Sequence, residues 1–319
     1  MFEALNHEMP GDHLDLTFRD TRLWPRVGPD PALPPSLFIS LGDPVAGPDV
    51  QLVVMPSPPE AMWLDTHFHA TDQFRVVLQG EFQLQRKCMT ARDFGYQSPG
   101  IPYREGVPGG STGPMWMLMV HGERRGARST MTRSDGNILI DAFGEDQLDR
   151  PVSTPDDPYW ADVIGGAKGR SGLATTIGRQ IGGFSWGNFD ASDGWHVPAA
   201  GLRMTAGLMG CPEKGPLVLT LRAEPDVEIL PAFESASEVV IAVIRGTCDI
   251  GDRKYDAGEV RVQKARVPLE AMTSGPQGAD IIIMFADRRA VIDEIDAPLV
   301  RASRTLIADT LAPALQQIG

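Results

Sequence analysis

At 319 residues with 42% hydrophobic content, the chain is long enough for two domains of ordinary size and apolar enough to bury a core, which excludes a disordered chain. A formal net charge of -13 with no cluster of Lys and Arg excludes nucleic acid as a partner, because phosphate backbones reward clustered positive charge. With 34 glycines and 27 prolines against 7% aromatics, many turns joining short strands are expected, and the class is all-β.

In chain order, Met1 to Asp20 lacks a basic run followed by an apolar one, so no secretory signal is expected. No apolar run approaches the roughly 18 residues that span a bilayer, so no membrane partner is expected. Apolar runs bounded by turn residues predict strands at Gln51 to Met55, Phe74 to Gln79, Met115 to His121, Leu217 to Leu221, Val239 to Ile244 and Asp280 to Phe285. Asp146 to Ser171 has the Pro, Asp and Gly content of a linker and sets a boundary near residue 150, giving domains over 1–150 and 151–319. After Pro298, Leu306, Ile307, Leu311 and Leu315 recur three to four apart, which predicts a short amphipathic helix that caps a domain or joins an oligomer interface. Cys88, Cys211 and Cys248 are widely spaced and form no Cys-x-x-Cys pair, which indicates neither a disulfide framework nor a thiolate zinc site and makes the cytoplasm the expected location.

The two halves repeat. An offset of 166 residues carries Val76-Val77-Leu78-Gln79-Gly80 onto Ala242-Val243-Ile244-Arg245-Gly246, and Ile101-Pro102-Tyr103 onto Val267-Pro268-Leu269. An offset of 164 carries Val120 to Arg125 onto Met284 to Arg289, so the chain reads as one β module used twice.

Chemistry concentrates in the first module. His67 and His69 are two residues apart, and in an extended strand that spacing turns both imidazoles to one face, where they can converge on one metal ion. Gln73 is a candidate third ligand through its neutral carbonyl oxygen. If the alternation ran on unbroken, Arg75 would point inward too and could pair with a substrate carboxylate, whereas a turn after His69 would reset the parity and leave it solvated. His121 ends the run Met115-Trp116-Met117-Leu118-Met119-Val120 and is either a packed histidine or an acid–base residue. Trp195-His196 reads as loop.

These residues resemble the first motif of the cupin superfamily, Gly-x5-His-x-His-x3,4-Glu-x6-Gly, with Ala61 for the first glycine, His67 and His69 matching, Gln73 in the glutamate position and Gly80 closing the motif. The second motif, Gly-x5-Pro-x-Gly-x2-His-x3-Asn, falls on Arg92, Ser98, Gly100, Tyr103 and Val107, and retains only the central glycine. With the repeat, the chain resembles the two-barrel members, the bicupins. The resemblance implies two tandem jelly-roll β-barrels with a short C-terminal helix, over about 35–125 and 200–290, and a divalent transition metal (Fe, Ni, Zn or Mn) inside the first. Tyr103 stands at the family's fourth-ligand position, as ligand or as proton donor. In the second barrel the equivalent positions are Phe233, Ser235, Val239 and Leu269, so no metal is expected there.

Two functions follow as expectations. One is a metal-dependent enzyme acting on a small organic substrate, as an isomerase, lyase, hydrolase or oxygenase, with His67, His69 and Gln73 on the metal and Tyr103 and His121 as catalytic groups. The other is a non-catalytic bicupin that binds or senses a small molecule. A homodimer is compatible with either, because partners commonly cover exposed barrel faces and edge strands.

Overall fold

The computed structural model describes residues 11–24, 36–127 apart from 45 and 65, 130–132, 139–141, 172–174, 179–181, 183–290 apart from 212 and 213, and 297–311. The chain is mainly β, in two large antiparallel sheets of seven and ten strands with smaller sheets beside them. Across the seven-stranded sheet run Arg179–Ile181, Phe184–Asn188, Asp93–Gln97, Gln73–Gln79, Met115–His121, Asp49–Met55 and Ser36–Ser40. The expected strand at Met115–His121 has those bounds, and the others extend by a few residues, the largest extension being Met272–Phe285.

Side-chain alternation explains the layers. In Gln73–Gln79, Phe74, Val76 and Leu78 face the second half and join a core with Val240, Val262 and Ile282. The opposite face carries Gln73, Arg75 and Val77 into the first barrel, where Val77 packs with Met117, Met119 and Val53. A four-stranded sheet containing Glu81–Leu84 and Glu105–Val107 closes that barrel, contributing Phe82, Leu84 and Val107 to the same interior. The second barrel has its own apolar interior around Leu219, Ile241 and Ile283.

The repeat is visible in the pairing. Asp93–Gln97 and Glu259–Gln263 are equivalent strands, and so are Lys87–Thr90 and Arg253–Asp256. The bridge His67↔Tyr103 has its counterpart in Phe233↔Leu269 at the same offset of 166. The strands nevertheless cross the boundary expected near 150, in both directions. His13–Thr17 pairs with Glu259–Gln263, and Phe184–Asn188 pairs with Asp93–Gln97. The linker expected at 146–171 lies outside the described residues.

Pro298–Leu306 is helical, with proline in its first turn where a missing N–H costs nothing, and it continues as a π-helical turn over Ile307–Leu311. Leu299, Val300 and Leu306 are buried in the second barrel's core, so this helix caps that barrel; Leu315 is outside the described residues. Trp195 is half-buried against Phe94 and Phe189 at the shared core, and His196 opens the strand His196–Ala199, where a loop was expected. Among the described residues no helix is long and apolar enough to cross a membrane.

Candidate functional site in the first barrel

Backbone pairing brings the site together. The His67 N–H donates to the Tyr103 carbonyl at 3.0 Å and the Tyr103 N–H to the His67 carbonyl at 2.8 Å, which sets the two rings 4.5 Å apart. The Gly100 N–H donates to the His69 carbonyl at 2.7 Å, tying the second histidine to the same loop. The chain bends at Ala70–Thr71, yet the inward parity survives the bend and Gln73 and Arg75 face the interior with the histidines. Cross-strand register then lines up His121, Gln73 and Gln97 in one row, with Met119, Arg75 and Gly95 in the next. A side chain at Gly95 would meet the Trp186 ring at 2.8 Å, so this glycine lets the indole from the second half lie against the sheet.

Among the described residues Arg75 is the largest fully buried side chain, 1% exposed. Its guanidinium donates to Gln97 Oε1 at 2.8 Å, to Tyr103 Oη at 2.7 Å and to Gln73 Oε1, and it lies 4.9 Å from the centre of the Tyr103 ring. Tyr103 in turn donates to Gln73 Oε1 at 3.1 Å. The counter-charge is Glu105, whose Oε2 is 3.7 Å from Arg75 and whose Oε1 is 3.6 Å from His67 Nε2. Gln97 is held from behind by its own Nε2, which donates to the Ile101 carbonyl at 3.1 Å. Its repeat partner Gln263 reaches the Val267 carbonyl in the same way and accepts from Arg261 at 2.9 Å.

His69 and His121 are neutral. His69 Nδ1 is 2.7 Å from the Ala127 carbonyl, so it carries the proton and Nε2 carries the lone pair. Burial, then the positive potential of His121, His67 and Arg75, holds His69 well below the usual imidazole range. Burial, then Arg75, pushes His121 down to about 3. Burial pushes the Tyr103 phenol up, so it stays protonated. His121 stacks 5.3 Å from His69 and 6.3 Å from Phe38, and neither of its ring nitrogens has a hydrogen-bond partner among the described residues.

His67, His69, Gln73, Tyr103 and His121 are thus in one cluster. Sequence reasoning missed Gln97 and Glu105. Glu105 follows Tyr103 by two residues, so the alternation used for the histidines also puts it inside. Gln97 and Gln263 are the same residue at the repeat offset.

One feature suits a metal ion: the backbone bond at His69 Nδ1 presents Nε2 inward, as in histidines that ligate metals. The rest of the set does not fit. Gln73 Oε1, expected as a ligand, accepts from Arg75 and Tyr103, and a permanent cation stands among the donors where a divalent ion needs negative charge. Among the described residues no three His, Cys, Asp or Glu side chains are arranged to hold a metal.

No protein-family model and no curated protein matches the chain in sequence. Solved structures match it in shape. A proposed dioxygenase from Nostoc punctiforme is 13% identical over 87% of this chain and 83% of its own, with a TM-score of 0.46. A cupin 2 conserved barrel domain protein from Leptotrichia buccalis is 11% identical over 86% and 96%, with a TM-score of 0.42. An oxalate decarboxylase variant from Bacillus subtilis is 10% identical over 86% and 77%, with a TM-score of 0.44. At such identities and TM-scores no residue role passes from those proteins to this one.

Proposed function

We propose that the first barrel is a recognition site for a small oxygenated organic molecule, bound by protein side chains without an intervening metal ion. The observation that carries this reading is His121, fully buried with both ring nitrogens unpartnered among the described residues. Buried polar groups in folded proteins have partners, and a neutral imidazole presents one donor and one acceptor. Around it Gln73 Nε2 and Arg75 Nε are further buried donors without a hydrogen bond, and Glu105 Oε2 is a further acceptor. A molecule with a carbonyl or carboxylate oxygen beside a hydroxyl satisfies both kinds, and Met117 and Met119 supply an apolar wall for its carbon skeleton.

The roles of Tyr103 and His121 in this reading are hydrogen-bonding ones. Neither exchanges a proton near neutral pH, because burial holds one protonated and the other neutral. The second reading, a metal-dependent enzyme acting on the same class of molecule, is favoured by the orientation of His69, and it requires Arg75 to leave Gln73 and Tyr103.

A thermal-shift and calorimetric screen of hydroxy acids and hydroxyketones separates the two. On chelator-treated protein, recognition by side chains predicts saturable binding that His121→Phe abolishes. Binding that vanishes with chelation and returns with added metal would transfer support to the metal-dependent enzyme.

A further inference from the structure

We propose that Arg75 is the resident cation of the first barrel and that its guanidinium keeps divalent metal ions out. The side chains a metal would draw on at this place are already gathered around the guanidinium. Gln73 Oε1 and Tyr103 Oη accept from its Nη2, and Gln97 Oε1 accepts from its Nη1. The carboxylate nearest to His67 is also the one that faces Arg75. A guanidinium does not lose its proton inside a protein, so this charge is permanent. Arg75 and Glu105 are the opposite charges of the cluster, set among imidazoles, a phenol and two amides. A divalent ion entering there finds its carboxylate already facing a guanidinium and no net negative charge to offset its own, in a medium that screens poorly, and it must also strip Arg75 of its acceptors. The packing supports permanence, because Arg75 is sealed between Met119 and Gly95 in the sheet and by the Tyr103 ring above.

The inference concerns the same barrel as the recognition site but does not depend on the ligand, since metal binding is read with no organic molecule present. The wild-type chain is purified without chelator or immobilised-metal columns, analysed for metal, and titrated calorimetrically with ZnCl2 and NiCl2. Below about a tenth of an equivalent is expected, with no saturable heat from the barrel. Arg75→Met, which keeps bulk and removes the charge, is expected to gain about one equivalent of Zn2+ or Ni2+, and adding His67→Ala to it is expected to abolish that gain. Arg75→Gln is the second variant if the methionine variant does not fold, with circular dichroism as the check. Stoichiometric metal in the wild type that disappears in His67→Ala would overturn the proposal. So would a folded Arg75 variant that binds no more metal than the wild type.

Discussion

At the scale of single residues, His121 is the point where stability and function pull apart. The repeat places Phe285 at the equivalent position, fully buried in the second barrel's apolar core. Leaving a buried polar group unpaired costs about 1–3 kcal/mol, so His121→Phe is expected to raise the unfolding free energy by an amount in that range, read as a higher urea midpoint, while abolishing ligand binding. The same substitution tests the pH response. With its folded value pushed down to about 3, His121 stays neutral in the folded protein while the unfolded chain takes up a proton below about pH 6.5. Unfolding therefore gains protons between those limits, and stability falls as pH drops from about 6.5 towards about 3. Urea midpoints at pH 7 and pH 4.5 should differ less in His121→Phe than in the wild type, with the buried His69 supplying part of the remaining difference. An equal difference in both proteins would show that His121 protonates freely. The inward side chains of this site were legible wherever the period of two held locally. Whether Arg75 faced inward was not, because that turned on how the chain crosses the bend at Ala70–Thr71, and a one-residue slip there reverses every later side chain.

At the scale of elements, strands with apolar runs were legible because burial on two faces leaves a continuous hydrophobic signature. The strand Phe184–Asn188 was not, since its partner Asp93–Gln97 is far away in sequence and three of its residues, Ser185, Gly187 and Asn188, are of kinds that also mark loops. Equally hidden was the seam where the halves meet. Asp72 stands beside Gln73; its Oδ1 accepts from the Gly210 N–H at 2.9 Å, and its backbone carbonyl accepts from the Gly122 N–H at 3.0 Å. A Cβ on Gly122 would lie 2.1 Å from Asp72 Oδ1 and 2.4 Å from the Gly210 nitrogen. Backbone from the other half cannot yield to it as a flexible side chain would. Gly122→Ala is therefore expected to destabilise by about 1–3 kcal/mol, read as a lower urea midpoint at unchanged slope. Because Gly122 follows His121 and Asp72 precedes Gln73, the same variant should also weaken ligand binding. Full stability in Gly122→Ala would mean that the two halves are not held this closely.

At the scale of the whole molecule, the two barrels share a core and exchange strands. Phe74, Val76 and Val120 from the first half and Val218, Val240 and Ile282 from the second belong to one buried cluster, so neither large sheet can be exposed without opening an apolar face. The exchanged strands add a second bond. Removing the second half strips Phe184–Asn188 from the edge of Asp93–Gln97, and removing the N-terminal stretch strips His13–Thr17 from Glu259–Gln263. Composition places a boundary near residue 150, whereas the shared core and exchanged strands lead us to expect that folding energy does not divide there. The expected outcome is one cooperative urea transition for the full chain, with circular dichroism and tryptophan fluorescence coincident. Residues 1–150 expressed alone should show no cooperative transition and should bind hydrophobic dye, because their half of the shared core faces water. Two resolved transitions in the full chain, or a fragment that unfolds cooperatively, would instead mean that each barrel's own interior suffices. The shared core would then be an interface between finished domains.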